Sequence, residues 1–161
     1  MTRTVQRILV PLDGSSLAEL ALGEALILSH LPDTEVTLLQ VVPPIDDVIV
    51  AGGEEFAIDQ QWERHKDRAL HYLRGIADRP EWRSVKVHVV VEMGNPAEVI
   101  LAYAESHRID QIVMSTHGRT GVGRWVFGSV AEKVLRATIT TLVLVRPPAS
   151  GSRIQEPNPS K

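Results

Sequence analysis

The 161-residue chain has no cysteine. Disulfides and thiolate chemistry are excluded, and a reducing compartment is compatible with the sequence. A basic excess is also missing: 17 Lys plus Arg stand against 20 Asp plus Glu, a formal charge of -3. General nucleic-acid binders show the opposite imbalance, so no nucleic-acid partner is expected. The N-terminal stretch MTRTVQRILVPLD holds only a short apolar run, too short for a signal h-region or a membrane span. The expectation is a soluble, cytoplasmic protein without a membrane partner. There is no internal repeat and no long low-complexity segment. What is present is average for a globular protein: 43% hydrophobic and 23% charged residues. The composition predicts one domain over residues 1–147, followed by a mobile Pro/Ser-rich tail over 148–161.

Short β-branched runs alternate with longer helical periods. Strands are expected at Arg7–Leu12, Glu35–Val42, Val85–Glu92, Asp110–Ser115 and Thr140–Arg146. Helices are expected after Asp13, over Phe56–Ala77, from Asn95 onward, and over Ser129–Arg136. Ser16 and Glu19 have the spacing of a capping box, Asn95 is placed as an N-cap, and Pro96 suits the first helical position. Strands alternating with helices predict an α/β protein with a five-stranded parallel sheet, doubly wound, with helices on both faces. In such sheets ligands bind beyond the carboxyl ends of the strands, where the winding reverses. With strand order 3-2-1-4-5 that point lies between the first and fourth strands. Asp13 and the glycine-rich segment after Ser115 would then lie side by side.

That segment reads VMSTHGRTGVGRWVFGSVAEKVL, from Val113 to Leu135. Gly118, Gly121, Gly123 and Gly128 would let the backbone approach an anion without a Cβ in the way. The helix that follows would offer the unpaired amides of Ser129, Val130 and Ala131. Arg119 and Arg124 could add charge. It is neither a Walker loop nor a dinucleotide fingerprint: no Gly-Lys-Ser/Thr occurs, and no G-x-G-x-x-G follows the first strand. A plain connector is the competing reading, with Ser129 and Glu132 as a capping box on the helix.

The segment resembles the nucleotide-binding branch of the universal stress protein family, whose motif is G-x2-G-x9-G-[S/T]. Gly118 matches the second glycine, RTGVGRWVF supplies the nine residues, and Gly128-Ser129 matches the end. Ser115 stands where the family has its first glycine. ILVPLDGS and GSVAEKVL are also similar to family sequence, and the likeness spans about residues 5–147. The resemblance implies a Rossmann-like fold that binds ATP, AMP or ADP, with magnesium or manganese as a companion ion. It implies that Asp13 and the backbone at Val41 hold the adenine, with Pro11 lining that pocket. Ser115, Thr116, His117, Gly118, Arg119, Thr120 and Gly121 would wrap the ribose and phosphates. Gly128, Ser129, Val130 and Ala131 would bind phosphate. It further implies a homodimer through the last strand, Thr140–Arg146, and a regulatory role in stress response. A slow ATP hydrolase or phosphotransferase of the same architecture is the alternative, and a nucleotide-free interaction module is a third.

Other residues carry weaker chemistry. Asp13 as a phospho-acceptor lacks an acidic cluster and a partner lysine, whereas a purely structural Asp13 would stabilise the turn before Ser16. Of the six histidines none has zinc-ligand spacing with a third ligand, and His117 stands out by its place in the loop. Asp46, Asp47, Glu54 and Glu55 read as a solvated acidic loop, and Trp125 as a packing or interface residue.

Overall fold

The computed structural model describes residues 6–44, 55–116 and 127–147, with the backbone alone for 55–60. The expected tail and most of the acidic loop lie outside the described residues. Five segments form strands: β1 (Gln6–Leu12), β2 (Thr34–Val42), β3 (Lys86–Met93), β4 (Gln111–Ser115) and β5 (Thr141–Val145). All pair parallel in the order β3-β2-β1-β4-β5. Between them run α1 (Leu20–Leu28), α2 (Glu55–Ala77), α3 (Pro96–Ser106) and α4 (Ser129–Ala137), plus a 3-10 turn at Pro80–Trp82.

Side chains alternate across a strand, so each strand feeds both faces of the sheet. Ile8, Val10, Leu12, Val36, Leu38 and Val113 face one way. They pack against Ala21, Leu22 and Ala25 of α1 and Leu73 and Ile76 of α2. Leu9, Leu39, Ile112 and Met114 face the other way, against Ala97, Ile100 and Ala104 of α3 and Ala131 and Val134 of α4. Near-continuous apolar runs in the central strands are the sequence mark of this double burial.

Helix starts differ in detail from their sequence signatures. The Ser16–Glu19 capping box does not form, because α1 begins only at Leu20. Ser15 does the work instead: its Oγ accepts from Ala18 N at 3.1 Å. Glu19 turns away to accept from Tyr72 Oη at 3.1 Å and Arg79 Nη2 at 2.9 Å. Asn95 is the N-cap of α3 in extended backbone, but its side chain makes no capping bond. For α4 the N-cap is Gly128, so Ser129 is the first helical residue and not the cap. Glu132 is left to pair with Arg136 at 2.8 Å. Between β3 and α3 the chain turns at Gly94, whose φ of +148° only glycine adopts without strain.

Candidate functional site

The site arises where two neighbouring strands part. The β1–β4 ladder runs over Ile8↔Gln111 and Leu9↔Ile112, while β1 continues beside β2 as far as Leu12↔Gln40. Beyond Ile112, β4 pairs with β5 alone. Pro11, which has no N–H to donate, lies past the last β1–β4 pair. A crevice of about 890 Å3 opens there, at the carboxyl ends of β1, β2 and β4.

Several expected site residues meet in this crevice. Pro11, Asp13, Val41, Ser115, Gly128, Ser129, Val130 and Ala131 all line it. Thr116 is buried beside them, at 4% exposure. His117, Gly118, Arg119, Thr120 and Gly121 lie outside the described residues. The two flanks of that segment are nonetheless fastened together. Thr116 N donates to Val145 O at 2.9 Å, and Gly128 N donates to Thr116 O at 2.7 Å. The residue just after β4 and the N-cap of α4 are thereby held against one end of the crevice.

Asp13 Oδ1 accepts from Ser15 N at 2.9 Å and from Ser15 Oγ at 2.6 Å. This Asx turn leads the chain toward α1, so the structural reading of Asp13 is realised. The same turn sets the carboxylate at the rim of the crevice. At the α4 end, the amides of Ser129, Val130 and Ala131 precede the first intrahelical bond, Glu132 N to Gly128 O at 2.9 Å. That end carries partial positive charge and suits an anion.

One wall was not singled out by sequence reasoning. His65, Arg68, Ala69 and Tyr72 of α2 line the crevice together with Gln40 of β2. Burial, and next the Glu19 carboxylate, push the Tyr72 phenol up from its ordinary 10.0, so it stays a neutral donor. Gln40 Oε1 and His65 Nδ1 are cut off from solvent and have no hydrogen-bond partner. The available signals were a glutamine inside the apolar run LLQVV and a histidine four residues before the buried Ala69.

No group of three or more metal-ligating side chains exists among the described residues. Nor is any described helix long and apolar enough to cross a membrane.

Comparison with known proteins agrees with this geometry. The profile of the universal stress protein family matches residues 4–146. Universal stress protein MJ0531 of Methanocaldococcus jannaschii is 33% identical over 144 residues, spanning 89% of this chain and 83% of that protein. The solved structure of MJ0577, from the same organism, superposes with a TM-score of 0.80 at 28% identity, covering 92% of this chain and 100% of that one. A family protein from Arabidopsis thaliana, solved with AMP bound, shares the fold at a TM-score of 0.62 and 17% identity, over 89% of this chain and 93% of that one. With a profile match across nearly the whole sheet and its helices, the chain belongs to the universal stress protein family.

Proposed function

We propose that this protein is a regulatory module that binds an adenine nucleotide in the crevice between β1 and β4. The observation that carries this reading is the convergence, in one cavity, of the α4 amides, the Asp13 carboxylate and apolar walls from Leu39, Val41, Ile100 and Met114. Phosphate would lie on the amides of Ser129, Val130 and Ala131, where charge and donors already point. Sugar and base would extend across the end of β1 toward β2. Strands β4, β1 and β2 are neighbours, so this path covers about 10 Å at ordinary strand spacing. A nucleoside monophosphate spans that distance with its phosphate at one end and its base at the other. The AMP held by the Arabidopsis protein is a ligand of the same class on the same fold.

Ser115 stands in the place of the motif's first glycine and lines the crevice at 6% exposure. Its short side chain leaves room for a sugar or phosphate beside it. A magnesium or manganese ion would be carried by the ligand's phosphates; among the described residues no group of three or more metal-ligating side chains gathers to hold one. Among the described lining residues Asp13 is the single carboxylate, and Ser15 already engages its Oδ1. This favours a binding module over a hydrolase, which would need a base placed to orient water.

Calorimetry with ATP, AMP and GTP, with and without magnesium, tests the reading. Binding of the adenine nucleotides is expected. Absence of any binding at millimolar concentration would refute it, and several turnovers per minute would favour the enzyme.

A homodimer through β5 accompanies this proposal. In support, β5 is an edge strand, Leu142–Val145 are half-buried in the single chain, and Ile139 beside them is 97% exposed. Edges of this kind are normally paired or covered. Light scattering of Val143→Lys should give monomers; a persisting dimer would place the interface elsewhere.

A further inference from the structure

We propose that the outer edge of β3 is a weak self-association surface, which pairs antiparallel with β3 of a second copy of this chain, centred on Val89. The surface is separate from the crevice and from β5, and it depends on neither the nucleotide reading nor the β5 dimer. β3 ends the sheet on the side opposite β5, and no described strand lies beyond it. Natural edges are blunted by shortness, by proline or by a bulge. β3 has none of these. It runs eight residues, KVHVVVEM, and keeps register with β2 without a skip from Glu35↔Lys86 to Val42↔Met93.

The ladder fixes which backbone groups face outward. Gly94 N donates to Val42 O at 3.1 Å. Along a strand the backbone N–H and C=O of successive residues point to alternate sides. Lys86, His88, Val90 and Glu92 therefore turn their backbone toward β2, as Gly94 does. Val87, Val89 and Val91 present theirs to the open side. Val85 shares that direction, and its N already donates to Trp82 O at 3.0 Å, which bounds the free edge.

A second β3 laid against this edge with Val89 opposite Val89 finds every outward group matched. Val89↔Val89 and Val87↔Val91 become hydrogen-bonded pairs. The pairs between them lack backbone bonds and bring their side chains closer. There Lys86 falls opposite Glu92 of the second copy, and by symmetry Glu92 falls opposite its Lys86. These two side chains share a face. Val87, Val89 and Val91 pack into the layer of α1 and α2, whereas Val90 packs into that of α3 and α4, so alternation puts Lys86, His88 and Glu92 on the α3 side. All three are exposed there. Lys86 holds Glu35 of the next strand at 2.7 Å, and Glu92 of the second copy would flank it from the other side. Centring on His88 or Val90 instead sets Lys86 against Val90 or Gly94. Only the Val89 register gives it a carboxylate.

The contact is the weaker of the two edges. Exposed ion pairs add little, and the three valines are already half-covered by their own chain. A chain whose β5 is blocked by Val143→Lys is then monomeric when dilute and associates only on concentration.

Sedimentation of the full chain from micromolar to millimolar concentration is the test. The mass should rise above that of the dilute species, whether that species is a monomer or a β5 dimer. No rise overturns the proposal. Glu92→Lys and Lys86→Glu each set like charges opposite one another and should each weaken the step by about tenfold. Mixed in equal amounts, the two variants again face unlike charges and should regain it. Unchanged association in both single variants, or a mixture no better than either alone, overturns the proposal. Val89→Pro removes an outward N–H and no ladder bond, a place where an edge strand accepts proline. It should abolish the step while its thermal transition persists, and association surviving in the folded variant counts against the edge. Should Val89→Pro not fold, the charge mixture decides alone.

Discussion

Each end of the sheet has a cavity. At the amino end, a space of about 600 Å3 lies between the α1–β2 turn and the start of β3. At the carboxyl end lies the crevice of about 890 Å3. Size alone does not separate them; the state of their polar groups does. Around the smaller cavity Ser29 Oγ and His30 Nδ1 both donate to Leu26 O at 2.7 Å, and Thr34 Oγ1 donates to Leu31 O at 2.7 Å. Lys86 Nζ donates to Glu35 Oε1 at 2.7 Å. These partners are local and already saturated. Around the larger cavity the α4 amides lack intrahelical acceptors, and Gln40 Oε1 and His65 Nδ1 lack hydrogen-bond partners. The amino end is satisfied by the chain itself, whereas the carboxyl end keeps polar groups that the described residues leave without partners.

The largest expected effect comes from putting charge where the anion would sit. Ser129→Asp introduces a carboxylate at the exposed first position of α4. An acidic residue at a helix N-terminus favours the helix, so the melting temperature should hold or rise. The same charge should repel phosphate and weaken ATP by about tenfold or more. Unchanged affinity in this variant would remove the α4 terminus from the site. The two ends of the sheet would then be equivalent.

Next comes the turn that delivers α3 to the crevice. A Cβ added at Gly94 would meet Val99 Cγ2 at 2.8 Å, at a φ of +148°. Gly94→Ala should therefore cost about 1–3 kcal/mol of stability, read by denaturant unfolding. AMP affinity measured well below the transition should stay near wild type, because the α3 residues that line the crevice, Pro96 and Ile100, are apolar. Wild-type stability in this variant would mean that the turn relaxes freely, and the rigid α3 wall would have to be abandoned.

How far the sequence foretold these regions depends on whether the cause was local. Runs such as RILVPL and TTLVLV are apolar enough to read as doubly buried strands without tertiary knowledge. Asp13 and Gly128-Ser129 could be placed together only by taking the strand order 3-2-1-4-5, one of the few that right-handed crossovers allow, and the sheet has that order. Helix starts were legible only to within a few residues. Ser15 and Ser16 are equally good caps on paper, and the Asx turn at Asp13 chooses between them. The α2 wall was not legible at all. Gln40 and His65 are 25 residues apart in sequence and line the same crevice only once α2 docks on the sheet. Tyr72, Glu19 and Arg79, which fasten α2 to the start of α1, are just as scattered.

The smallest effect belongs to the amino end. There Glu35 holds Lys86 at 2.7 Å and His88 at 3.1 Å. The hydrogen bond from Lys86 leads in keeping its carboxyl below the ordinary 4.5, with burial opposing and His88 adding to the lowering. A folded-state value below the unfolded one gives stability that is present above the unfolded value and is lost as pH falls through the folded one. Glu35→Gln should therefore cost a few tenths of a kcal/mol near pH 7, as usual for an exposed pair. The gap to wild type should close as pH drops below 4.5. Stability curves of the two proteins across acid pH measure this directly, and a gap that widens on acidification would contradict the sign. AMP affinity should not change, because the pair lies at the far end of the sheet from α4. A nucleotide defect in Glu35→Gln would mean that the saturated end communicates with the unsaturated one, and the division between them would no longer describe how this chain is built.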